Sequence, residues 1–87
     1  MSVRDPALER LRWRCRRGML ELDLVLEAFL ERDLPDLSPL KLQALHALLD
    51  RPDPELLDYV MGHQEPDAAD QRELVALMRT VKPSIAA

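Results

Sequence analysis

A chain of 87 residues with a net charge of −4, 47% apolar residues and only Trp13, Phe29 and Tyr59 as aromatics suits one small domain spanning residues 1–87. Such a chain buries only roughly 60–65% of the surface its unfolded form exposes, which leaves little room for an internal active-site cavity. No apolar run approaches the ~20 residues of a membrane span, and Cys15, the single cysteine, excludes an intrachain disulfide.

The charge is unevenly placed. Residues 1–17 hold six arginines (4, 10, 12, 14, 16 and 17) against Asp5 and Glu9, a balance of +4, and the remaining 70 residues carry −8. That asymmetry fits an oriented encounter with a charged partner; a solvated basic helix followed by solvated acidic ones fits it too. The N-terminus lacks the apolar core of a secretory signal. Asp5, Pro6 and Glu9 interrupt its arginines, which makes a poor mitochondrial presequence. A cytoplasmic location is therefore expected.

Abundant Leu and Ala with few β-branched residues predict helices. Asp5-Pro6 opens the first, with a capping acid and a proline at the first helical position. Leu8, Leu11 and Cys15 recur at spacings of three and four and share a face. Trp13 lies off that stripe; either it packs on a neighbouring helix, the commoner fate of a lone Trp, or it is a half-exposed contact residue. Gly18 ends or bends this helix, with Arg16 and Arg17 in its last turn. A second helix, about Met19 to Asp33, carries Leu22, Val25, Leu26 and Phe29 on one stripe with Leu30 beside it, and Glu21 and Asp23 in its first turn. Leu34 to Leu37 is a loop. Ser38-Pro39 caps a third helix, to about Asp50, that buries Leu42, Leu45 and Leu49 with Leu48 close by. Asp53-Pro54 starts a fourth with Leu56, Leu57, Val60 and Met61, closed by Gly62. Asp67 caps a fifth with Leu74, Leu77, Met78 and Val81 inward, and residues 84–87 fray. The expected fold is all-α, a compact five-helix bundle.

Chemistry is sparse. His46, His63 and Cys15 are scattered without metal-ligand spacing, Gly18 and Gly62 are isolated rather than a phosphate-cradling loop, and no nucleophile stands beside a base. No catalytic residue, metal site or cofactor site is expected, and Cys15 reads as a buried, inert thiol. The acidic total sets protein binding above nucleic-acid binding through the arginine helix.

That leaves the junction at Arg16 to Asp23. Arg17 and Glu21 share a face if a helix runs through Gly18, but Arg preceding Glu is the less favourable order and glycine costs roughly 1 kcal/mol of helix propensity. Two readings stand. In one, Gly18 is a C-cap with Arg17 and Glu21 as helix-dipole partners. In the other, Gly18 leaves a side-chain-free patch that another backbone approaches, flanked by charge-assisted hydrogen bonds from Arg17 and Glu21.

Trp13, then Cys15-Arg16-Arg17-Gly18-Met19, then Glu21-Leu22-Asp23 resembles the signature of the SdhE family, the flavinylation assembly factors of succinate dehydrogenase, with its hallmark Arg-Gly-x-x-Glu met by Arg17, Gly18 and Glu21. The likeness extends through Asp53-Pro54-Glu55-Leu56, Tyr59-Val60-Met61 and Leu74 to Met78, with Tyr59 where the family commonly has Trp. The resemblance implies a five-helix bundle that is not an enzyme. It implies binding to the flavoprotein subunit of succinate dehydrogenase, and in some bacteria of fumarate reductase, promoting covalent attachment of FAD that the partner carries. Arg17, Gly18 and Glu21 would form the contact, with Arg16, Met19 and Trp13 at its rim, in a factor monomeric when free and without membrane insertion. The alternative is an antitoxin-like regulator that binds a toxin or a cytoskeletal protein, as described for some members.

Overall fold

Segments rich in Leu, Ala, Glu and Arg, punctuated by prolines and two glycines, become five α-helices. The computed structural model describes residues 6–81. The helices are α1 (Pro6–Arg14), α2 (Leu20–Asp33), α3 (Pro39–Leu49), α4 (Asp53–Met61) and α5 (Ala69–Met78), and no strand occurs among the described residues. The expected all-α five-helix bundle is what the chain forms. The Asp5 cap and the frayed residues 84–87 lie outside the described residues.

The helix ends follow local chemistry. Ser38 accepts the backbone N–H of Lys41 at the start of α3, with Pro39 at the first helical position, a cap worth about 1 kcal/mol. Gly62, at φ +84, closes α4 in a left-handed turn: its N–H donates to the Tyr59 carbonyl, and that of His63 to the Asp58 carbonyl. Two expectations need correction. Leu34 to Leu37 is not open loop: Leu34–Asp36 is a 3-10 turn running on from α2, with the Leu34 N–H bonded back to Leu30. Asp67 does not cap α5; Ala68 holds that place without a side-chain bond. The backbone carbonyls of Pro66 and Asp67 instead take the Arg72 guanidinium, which fixes the chain's entry into α5 in place of a cap.

One core runs through all five helices. α5 is central, packing against α2, α3 and α4, while α2 also meets α4. Leu22, Leu26 and Phe29 of α2, Leu45 and Leu48 of α3, Leu56 of α4 and Leu74 and Val75 of α5 are buried, each contributing roughly 1.5–3 kcal/mol. The buried stripe of α5 is Gln71, Leu74, Val75 and Met78, at helical spacings of three, four and seven. Leu77 falls outside it and is exposed, as is Met61, and Leu42 is only half-buried. The amide oxygen of Gln71 is satisfied by Arg51, and the buried Tyr59 donates its hydroxyl to Glu55. α1 lies at the edge and lends the core Leu11, with Cys15 just beyond its end.

Candidate partner-binding site

The helix of α1 stops at Arg14, four residues before Gly18. Arg16 and Arg17 are therefore not in its last turn, and Gly18 is not its C-cap; Arg12 and Arg14 occupy that turn. The backbone bonds show why. In a continuing helix the Arg17 and Gly18 N–H groups would donate to the Trp13 and Arg14 carbonyls. Here the Trp13 carbonyl accepts Arg16 N–H at 3.0 Å, and the Arg14 carbonyl accepts Arg17 Nη1 at 2.8 Å. The displaced amides turn to Asp23: Arg17 N–H donates to Oδ1 at 2.7 Å and Gly18 N–H to Oδ2 at 3.2 Å. The connector Cys15–Met19 is thus an elbow, with Gly18 at φ +83, a conformation that costs an L-residue roughly 1–2 kcal/mol. Met19, at the N-cap of α2, offers no side-chain cap.

Arg17 faces inward. Its side chain is 17% exposed, and Nε donates to Asp53 Oδ1 at 2.7 Å. Its Nη2 donates to the Arg51 carbonyl at 3.1 Å. One guanidinium thereby binds the carbonyl of the last residue of α1, a carbonyl just past α3 and the acid opening α4, cation to helix C-terminal ends. Its donors are engaged within the bundle rather than held out as a flanking cation. Arg14 works beside it, donating to His46 Nδ1 at 2.9 Å and to Asp50 Oδ1; an arginine cannot accept, so this histidine nitrogen does.

The other junction residues point outward. Gly18 is exposed, and a Cβ placed on it would meet nothing within 4 Å. Glu21 is exposed, and its carboxylate has no hydrogen-bond or ion-pair partner among the described residues. Arg17 and Glu21 consequently belong to different elements and do not pair. Arg16 is exposed and Met19 packs partly against the core. Trp13 is 72% exposed, against the usual burial of a lone Trp; Leu11 and Cys15 take the inner face of α1, and Trp13 sits opposite. Leu20, at the start of α2, is also exposed. A groove of about 260 Å³ runs beside the elbow, its lining including Arg12, Cys15, Arg16, Asp23, Leu24 and Glu27.

A sorting of cations marks the same region. Arg14, Arg17, Arg32, Lys41, Arg51, Arg72 and Arg79 are all held by acids or carbonyls of the bundle. Among the described residues Arg10, Arg12 and Arg16 alone have no such partner, and they flank Trp13.

Cys15 is buried, and burial pushes its thiol from the ordinary 9.0 up to about 11, against the lowering pull of Arg17 and then Arg14. The thiol stays protonated in the fold after the unfolded chain has ionised. Stability tied to it is therefore complete below pH 9 and falls as the pH climbs to about 11, by on the order of 2–3 kcal/mol. Cys15→Ala should flatten that part of a stability-against-pH curve measured by urea unfolding; an unchanged slope would place the titration elsewhere. Among the described residues, no group of three or more His, Cys, Asp or Glu could hold a metal, and no helix is long and apolar enough to cross a membrane.

The fold and the elbow place the chain among small all-helical proteins that present an inter-helix bend on their surface. Known proteins make the class specific. A family model described as the flavinator of succinate dehydrogenase matches residues 9–82. The FAD assembly factor SdhE of Coxiella burnetii is 41% identical over 69 residues, 79% of this chain and 84% of the relative. That of Legionella pneumophila strain Lens is 46% identical over 70 residues, 80% and 87% of the two chains. That of Pectobacterium atrosepticum is 37% identical over 71 residues, 82% and 81%. The chain belongs to this family of succinate dehydrogenase flavinators.

Proposed function

We propose that this chain is an assembly factor that binds the flavoprotein subunit of succinate dehydrogenase and promotes covalent attachment of FAD to it. The observation that carries the reading is the match over residues 9–82 in a chain whose Gly18 elbow lies open on the surface. Gly18 lets the partner's backbone approach, Glu21 offers a free carboxylate to its donors, and Arg17 holds the elbow from behind. Arg16, Met19 and Trp13 form the rim, and the unpaired Arg10, Arg12 and Arg16 favour an acidic partner surface.

The factor acts without forming the flavin bond itself, in the cytoplasm, as a monomer when free, and it serves fumarate reductase as well where that enzyme takes covalent flavin. In this reading FAD is carried by the partner flavoprotein, and this chain contributes the docking surface. Co-expression of the flavoprotein subunit with and without this chain, read by in-gel flavin fluorescence, tests the reading. A several-fold gain in covalent flavin is expected, and equal fluorescence in the two lanes would refute it.

A further inference from the structure

Asp23 stands apart from the Arg-Gly-x-x-Glu residues, yet it decides their geometry. It is the fourth residue of α2, half-buried, and its own N–H donates to the Met19 carbonyl at 2.8 Å as an ordinary helical bond. Its carboxylate turns back over the helix start, each oxygen accepting one amide, from Arg17 at 2.7 Å and Gly18 at 3.2 Å. A carboxylate with two oxygens matches two parallel donors, and hydrogen bonds to a charged acceptor are about twice as strong as neutral ones.

The elbow has one evident competitor. Without an acceptor downstream, the Arg17 and Gly18 amides regain partners by returning to the Trp13 and Arg14 carbonyls and extending α1. That extension requires Gly18 to leave φ +83 and displaces Arg17 Nη1 from the Arg14 carbonyl. It also swings Gly18 and Glu21 into new positions relative to Trp13. The bare N-cap at Met19 leaves no other side chain for the task.

We propose that Asp23 is a positioning residue of the docking surface: by holding the Arg17 and Gly18 amides, its carboxylate selects the elbow over a continued helix and so keeps Gly18 and Glu21 aimed at the partner. The inference rests on the reading of the elbow as the surface that contacts the flavoprotein. Asn in this position keeps one acceptor oxygen but turns an NH2 donor toward the second amide. Glu keeps both oxygens on a stem one methylene longer, and acids of that length reach back over helix starts in capping boxes.

The test has two independent arms. In the free protein, residue-resolved amide hydrogen exchange should show Arg17 and Gly18 protected. Asp23→Asn should either speed both by roughly tenfold or more or move their backbone chemical shifts to helical values as the amides return to the Trp13 and Arg14 carbonyls, Asp23→Glu should restore the native exchange and shifts, and unchanged exchange in the α2–α5 core amides shows that the fold survives. Protection that persists in Asp23→Asn with the Arg17 and Gly18 backbone chemical shifts unchanged overturns the clamp, whereas protection that persists with those shifts moved to helical values supports it. In the second arm, affinity for the flavoprotein subunit of succinate dehydrogenase should fall roughly tenfold in Asp23→Asn and recover in Asp23→Glu. The losses of Asp23→Asn and Gly18→Val should be strongly non-additive, because both act through one elbow. Full additivity, or unchanged affinity beside exposed amides, overturns the positioning role. Absence of any binding by the unaltered protein overturns the docking reading itself and the positioning role with it, while the exchange arm still reports whether the clamp exists.

Discussion

Gly18→Ala and Gly62→Ala should lose nearly the same stability, and only Gly18→Ala should lose covalent flavin on the partner. The two glycines are matched: φ is +83 at one and +84 at the other, and a Cβ at either meets nothing within 4 Å. Steric clash is absent in both, so the cost is backbone strain alone, about 1–2 kcal/mol each, or very roughly 4–15 °C in melting temperature for a domain of this size. The consequences for binding differ by place. Gly62 ends α4, whereas Gly18 is the bare point of the elbow, where in the proposed docking a methyl group would stand between the two backbones. Thermal melts paired with in-gel flavin fluorescence separate the effects. A drop of roughly tenfold in flavin is expected for Gly18→Ala and little change for Gly62→Ala. Equal drops for the two would show that instability alone had removed the flavin.

The second large effect divides the motif that the sequence presents as a unit. Arg17→Ala should destabilise the bundle by about 2–3 kcal/mol, since charge-assisted bonds to Asp53 and to the Arg14 and Arg51 carbonyls are lost and those groups are only partly open to water. Arg17→Lys should recover little of this, because one ammonium cannot reproduce a planar fork reaching three acceptors. Glu21→Ala should leave stability within about 0.5 kcal/mol, as its carboxylate is exposed and unpaired among the described residues, and still diminish covalent flavin. Urea midpoints for the three variants, set beside flavin fluorescence, test the division. A Glu21→Ala protein as unstable as Arg17→Ala would mean that the carboxylate has a structural partner after all.

The helices were legible because their signals are local. Proline after Ser38 and within Asp53-Pro54, the glycine at 62 and runs of Leu at three- and four-residue spacing each act within one or two turns, and the expected spans agree closely with the observed ones for α2, α3 and α4. What was hidden depends on residues far apart in the chain. The end of α1 at Arg14 could not be read from Arg16-Arg17-Gly18, because Arg17 is drawn to Asp53 and Arg51, more than thirty positions away. Trp13 is outward because Leu11 and Cys15 already fill the inner face of a helix at the edge of the bundle. Leu77 illustrates the same limit within one helix. Its spacing from Leu74 suited the core, but the stripe that meets the other helices runs through Gln71, Val75 and Met78. Asp23 left one clue in the sequence: an acid in the first turn of a helix whose N-cap, Met19, has no acceptor of its own.

The outward setting of Trp13 also governs what light can report. The only indole of the chain already sees water in the native state, so its emission changes little when the bundle melts and is a poor gauge of denaturation. Settled against another polypeptide, the same ring would be dried, and its colour would shift to the blue.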